Sequence, residues 1–352
     1  MKSRFTKGII GCVAAIALGL SYSAQAQDIH FTQFEASPLI INPANTGAFD
    51  GDFRASAVYR DQWRSALGAS AFKTFAFSFD MPVIRDISID DYLAAGIQFY
   101  GDRAGDGNLS NSSALLSVAY HKFLGSDATK ALSVGFQGGY SQKNLDLSRL
   151  YFGNEFDEGS WNSGTSNEFD WLETKTDGFV INAGIAYSQA ISENFAFVLG
   201  AGMNNINQPL ESFDSRKLSQ EVGLGMRYTG QLGVIVGVSD RFSIKPAALF
   251  QTQSSAMEIV AGSEFNYKLG QDYDLPSAMG VYIGGWYRHE DAIMATVGIE
   301  YKNFRIGFAY DYTTSNLKNS TNNNGGFEVA IRYIAPNPLS SAMKLLYPCS
   351  RF

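Results

Sequence analysis

Few side chains in this sequence are placed for chemistry, and their spacing excludes more than it suggests. Beyond the first 26 residues stand three histidines, His30, His121 and His289, none at metal-ligand spacing from another or from Cys349. His289-Glu290-Asp291 reads as a charged hairpin tip, and His121 ends an alternating stretch as an interfacial or inward-facing residue. No G-x-S-x-G turn and no phosphate loop occurs, so the expectation is no catalytic residue, no cofactor and no metal. Asp102-Arg103-Ala104-Gly105-Asp106-Gly107-Asn108 gathers oxygen donors, but it departs from calcium-loop spacing and sets Arg103 among them. A glycine-rich turn is the better reading.

Two other groups carry more weight. Segment 142–176 interleaves acids with aromatics, and Tyr151, Phe156, Asp157, Glu158, Trp161 and Trp171 form a candidate partner-binding set. Long connections in compact folds are usually functional, and aromatic anchors dominate interfaces. A self-packed lid over a barrel mouth is compatible with the same residues. The second group is Glu300, Arg305, Asp311, Glu328 and Arg332, each on the polar side of a stretch whose other side is apolar.

That alternation identifies the elements that position these residues. In 303–312, Phe304, Ile306, Phe308, Tyr310 and Tyr312 take one face, while Arg305, Gly307, Ala309 and Asp311 take the other. Segments 292–301 and 327–333 repeat the split. One face is aromatic and aliphatic over its whole length, and the other tolerates charge and glycine. This is the signature of an all-β transmembrane antiparallel β-barrel, apolar outside and polar within. About fourteen such segments run between 53 and 334, near 53–61, 71–80, 91–100, 111–122, 131–141, 177–190, 194–203, 227–238, 241–252, 255–268, 278–288, 291–301, 303–312 and 325–334. An even number returns the chain to its starting side. Connections after even strands are then short periplasmic turns, and the long ones, 142–176, 204–226 and 313–324, fall together on the outer side.

The flanks follow. Residues 1–26 read as a secretory signal peptide, with Lys2, Arg4 and Lys7 before an apolar run and Ala24-Gln25-Ala26 as the cleavage site. Cys12 lies at the front of that run, against lipoprotein processing, and its removal leaves Cys349 without an intramolecular partner. Cleavage takes the net charge from −7 to −10, which disfavours nucleic acid as a partner. Residues 27–52 form an irregular segment and 335–352 a periplasmic tail around a 53–334 barrel.

The irregular segment holds Phe31, Phe34, Leu39, Ile40, Ile41 and Phe49, too many apolar groups to leave in water, while Pro38 and Pro43 forbid a long regular element. A disordered leader, a first strand through 39–41 and a lumenal plug are the three readings. The plug is preferred, with Phe31, Phe34, Leu39 and Pro43 as its residues and the first three against the inner wall on the periplasmic side.

The chain also resembles the PorP/SprF family of outer-membrane proteins from the type IX secretion system of Bacteroidota. The likeness rests on 30–49 together with Gly51-Asp52-Phe53-Arg54-Ala55, Tyr59-Arg60-Asp61-Gln62-Trp63, Asp102 to Asp106, Asn207-Gln208-Pro209-Leu210, Trp286-Tyr287-Arg288, Asp311 to Ser315 and Gly325-Gly326-Phe327-Glu328. The ending Pro348-Cys349-Ser350-Arg351-Phe352 is close to the Cys-Pro-Arg-Phe of many members, with serine in place of proline. The resemblance implies a non-enzymatic barrel set among outer-membrane lipid. It would act in export or surface anchoring of a secreted protein with a C-terminal sorting domain, an adhesin in gliding species, together with other secretion components. From the residues alone, a channel for a small or hydrophobic solute stands as the rival, with the inward charges as selectivity groups or as a paired network filling the lumen.

Overall fold

The computed structural model describes residues 29–85, 87–88, 91–125, 129–157, 160–162, 164–217, 223–269 and 279–336. The leader, Glu158, Cys349 and most of the C-terminal tail lie outside the described residues. The strands are β1 (Arg54–Gln62), β2 (Phe72–Ile84), β3 (Tyr92–Ala104), β4 (Leu109–Leu124), β5 (Lys130–Asn144), β6 (Phe156–Asp157), β7 (Ser160–Trp161), β8 (Lys175–Ser192), β9 (Phe195–Asn204), β10 (Arg227–Gly237), β11 (Phe242–Gln253), β12 (Ala256–Lys268), β13 (Met279–Arg288), β14 (Ala292–Tyr301), β15 (Phe304–Thr313) and β16 (Asn324–Ile334).

All but β6 and β7 form one closed antiparallel barrel of 14 strands, each paired with its sequence neighbours. β1 closes the wall on β16 with Arg54 opposite Ile334 and Gln62 opposite Gly326. Closure satisfies every strand edge, which a lipid environment demands because no water is there to pair an open one. β6 and β7 form a two-stranded hairpin inside the 145–174 connection. Among the described residues no helix is long and apolar enough to cross a membrane.

Period-two patterning puts Tyr282, Trp286 and Arg288 of β13 inside, while Val281, Ile283 and Tyr287 face outward. The outward band continues through Ile293, Val297, Tyr301, Phe304, Phe308, Tyr312 and Phe327, all exposed large apolar groups that a lipid face accommodates. The long connections 145–174 and 205–226 leave one end of the barrel, here the loop end. The start of β1 and the end of β16 share the opposite end, here the terminal end.

Candidate functional site

Residues 29–53 stay out of the wall and occupy the lumen. Three helical turns, Phe34–Ala36, Pro38–Ile41 and Pro43–Asn45, carry them. Proline opens the last two, where the missing N–H is harmless, and the Asn42 side chain accepts the Ala44 N–H at 2.9 Å to cap the third. Phe31, Phe34, Leu39, Ile40, Ile41, Ala44 and Phe49 are buried. Phe34 meets Trp286 edge to face at 5.4 Å, and with Ile41 it packs on Val198, Leu249, Val260 and Met294. Phe31 packs on Val58, Ala76 and Ala330. The core of this barrel is therefore the contact between segment and inner wall.

Three sets of polar contacts fix the segment. At the terminal end Arg54, fully buried, forks onto Asp80 at 3.0 and 2.7 Å and donates to the Asn45 carbonyl at 2.8 Å. Asp80 in turn accepts the Gly47 N–H at 2.6 Å. Beside it His121 bridges the Ser133 hydroxyl and the Thr46 carbonyl, each at 2.7 Å, and stacks on Tyr92. His121 is thus a lumenal packing residue, the inward of its two sequence readings.

At mid-height Asn42 donates to the carbonyls of Ile185 and Ala201 at 3.0 and 3.2 Å, and Asn45 exchanges amide hydrogen bonds with Gln231. This close approach needs glycine in the wall. A Cβ at Gly135 would overlap the Pro43–Ala44 backbone, and one at Gly184 would overlap the Asn42 side chain.

Toward the loop end the contacts are ionic. Glu328 accepts the backbone N–H groups of Thr32 and Gln33 at 2.8 and 2.7 Å. The Thr32 hydroxyl donates to Asp311 at 2.6 Å and accepts from Arg60 at 2.8 Å. Arg60 pairs with Asp311 at 2.7 Å and Glu328 at 3.3 Å, while Arg288 pairs with Asp311 at 3.1 Å and Asp291 at 3.0 Å. His30 lies 3.6 Å from Glu258, near the start of β12. Buried charges without partners would be very costly, so the cluster is stable only as a set.

Expectation and placement differ in height for part of the segment. Phe31, Phe34, Leu39 and Pro43 all lie in the lumen, and Leu39 faces Gly96 in the terminal half. Phe31 and Phe34, expected on the periplasmic side, instead sit at mid-height and above. The chain climbs from Phe53 at the terminal end to His30 near the loop end, because the Thr32 and Gln33 amides are drawn to Glu328.

The five inward charges divide. Asp311 and Glu328 hold the segment. Arg305 instead bonds to Glu300 and, at 2.5 Å, to Glu264, with its guanidinium 3.7 Å from the Tyr282 ring. Arg332 lines the cavity above this pair. Arg54, Arg60, Arg288 and Asn42 stand in the stretches that carry the family likeness, with no role given to them there, and Asp80 and the wall glycines stand in none. Parity is a further signal in β1, where Arg54, Ser56, Val58 and Arg60 alternate with smaller or outward-facing groups.

At the loop end, Tyr151, Phe156 and Trp161 come together, with Trp161 5.6 Å from Tyr151 and 5.1 Å from Phe156, and all three more than half exposed. Trp171 stands apart under Arg216, whose guanidinium lies 3.6 Å from the ring. Asp157 pairs with Ser160 along the hairpin. The connection is internally braced. Glu155 accepts the Phe152 and Gly164 N–H groups at 2.9 and 2.7 Å, which holds its carboxyl below the usual range, and Glu173 and Ser215 tie the connection to 205–217 through Phe213 and Trp171. Asp102 to Ala104 end β3 and 105–108 form the turn into β4, with Gly105 at φ +72° and Arg103 bonded to Asn108.

Several solved barrels are similar in outline. The Pseudomonas putida toluene transporter TodX is 12% identical, with a TM-score of 0.47 over 84% of this chain and 92% of its own. The CymD monoaromatic hydrocarbon channel is 8% identical, with a TM-score of 0.46 over 86% and 93%. The KdgM porin is 8% identical, with a TM-score of 0.34 over 79% and 98%. At such scores these likenesses carry no argument about activity. No curated protein matches the chain. The family model described as "Type IX secretion system membrane protein PorP/SprF" matches residues 23–333, and the chain belongs to that family.

Proposed function

We propose that this protein is a non-enzymatic outer-membrane barrel, closed at rest, that takes part in type IX export by holding a secreted protein through that protein's C-terminal sorting domain. Family membership supports the secretion role. The observation that carries the rest is the lumenal segment, whose seat on the wall leaves the barrel a platform rather than an open pore. The holding surface in this reading is the loop end, where Tyr151, Phe156 and Trp161 stand exposed on a braced connection. Large aromatics on a rigid frame are the usual anchors of an interface. Anchoring of an adhesin in a gliding cell is one form of the same role, and other secretion components are further partners.

Replacing Tyr151, Phe156 and Trp161 together with alanine is expected to cut retention of the sorting-domain cargo at the cell surface by about tenfold or more, as loss of an interface hot spot does. Barrel stability in detergent should stay within about 0.5 kcal/mol, because all three are more than half exposed. Copurification of epitope-tagged cargo from solubilised membranes reads the first quantity and gel mobility against temperature the second. Undiminished cargo recovery would remove the loop end from the proposal.

A further inference from the structure

The lumenal segment does not fill the barrel evenly. On the β9–β14 side a cavity of about 670 Å³ lies at the terminal end, lined by Glu193, Arg241, Lys245, Asn266, Tyr267 and Glu300 among others. A smaller one of about 30 Å³ lies above it, between Gln33, Glu35 and Ala36 of the segment and Glu264, Tyr282 and Arg305 of the wall. Arg305 lines the upper cavity, Glu300 lines the lower, and the two are hydrogen-bonded to each other. The Arg305–Glu300 ion pair thus lies where the two linings meet. Both linings set charged and amide groups beside apolar ones, Phe34 and Trp286 above and Phe195 and Phe242 below, and the ion pair makes their junction suited to hydrated solutes.

What closes this path toward the loop end is residues 29–36, and they are held differently from 38–49. The latter press backbone against glycine, where Gly135 and Gly184 leave no room to shift. The former add ionic contacts to the apolar packing of Phe31 and Phe34: Glu328 clamps two successive backbone N–H groups, and Arg60 and Asp311 grip Thr32. Arg288 joins this cluster to Asp291, in the loop-end turn 289–291 and partly exposed, so the clamp is in contact with the outer surface.

We propose that residues 29–36 are a displaceable gate and 38–49 its fixed seat, and that displacing the gate joins the two cavities to the loop end as a passage for small hydrophilic solutes. The lining pairs acids with bases, so the open passage discriminates by size more than by charge.

Liposome swelling with arabinose tests this on the full chain. The unaltered protein should admit the sugar slowly. Glu328→Gln weakens the clamp by removing its charge, and Thr32→Val removes the hydroxyl shared by Arg60 and Asp311; each should raise the rate by about tenfold or more, in line with the loss of charged buried hydrogen bonds. Deleting 29–36 should raise it further, while stachyose stays largely excluded by the remaining seat. Heat-modifiable gel mobility identifies variants that fold, and the deletion keeps the test decisive if a point variant does not. Folded variants that all admit arabinose at the unaltered rate would overturn the proposal. So would proteolysis showing that Glu328→Gln frees 38–49 as readily as 29–36.

Discussion

Arg60→Ala should destabilise the folded barrel by about 3–5 kcal/mol, the usual consequence of removing one partner from a buried ion cluster. Arg60 is 1% exposed and holds Asp311, Glu328 and the Thr32 hydroxyl together. Its loss leaves two carboxylates facing one another with only Arg288 close by, and Arg288 pairs with Asp311 rather than Glu328. The effect comes from the stranded charges rather than from lost packing. A triple variant, Arg60→Ala with Asp311→Asn and Glu328→Gln, should therefore recover a large part of the stability. Urea unfolding followed by gel mobility measures both proteins. A triple variant no more stable than Arg60→Ala alone would mean that the cluster acts through shape and not through charge.

The second large effect is expected at a residue with no side chain. Gly135→Leu should drive the Pro43–Ala44 backbone off β5 and release the seat, because the added Cβ alone already overlaps main-chain atoms that have no rotamer to retreat into. Overpacking of this kind costs about 1–3 kcal/mol where neighbours can adjust, and here the cheaper adjustment is to unseat the segment. The barrel itself should persist, since its ladder bonds are untouched. Protease should then cut within 38–49 while the heat-modifiable gel shift remains. Gly285→Ala is the matched control: Gly285 faces outward with no neighbouring atom in reach of a Cβ, and the change should be silent. Equal protease resistance of Gly135→Leu and the unaltered protein would show that the seat is not fixed by close backbone approach.

Strand period and loop parity made the wall legible from sequence, because a lipid outside and a polar lumen inside impose opposite demands on successive side chains. The segment Phe304 to Tyr312 alone states that rule. The loop-end aromatics were legible too, as residues too large and too apolar for an ordinary connection. The contacts inside were not. Glu328 and Asp311 read as inward charges, but nothing in their own strands indicates that Glu328 takes the backbone amides of Thr32 and Gln33, and Asp311 the Thr32 hydroxyl, from the far end of the chain. Gly135 and Gly184 read as ordinary small residues of a strand, since their role depends on what approaches them across the lumen. Height in the barrel was likewise hidden: composition can say that Phe31 and Phe34 must be buried, and only the long-range clamp decides where.

The claim on which the rest depends is that residues 30–49 close the lumen, and planar-bilayer recording of the purified full chain beside a variant lacking 30–49 tests it most directly. The full chain should insert and show no steady conductance, and the deletion should give steady, unitary openings from a barrel that still shifts on heating. Steady conductance by the full chain, or silence from a folded deletion, would contradict the account.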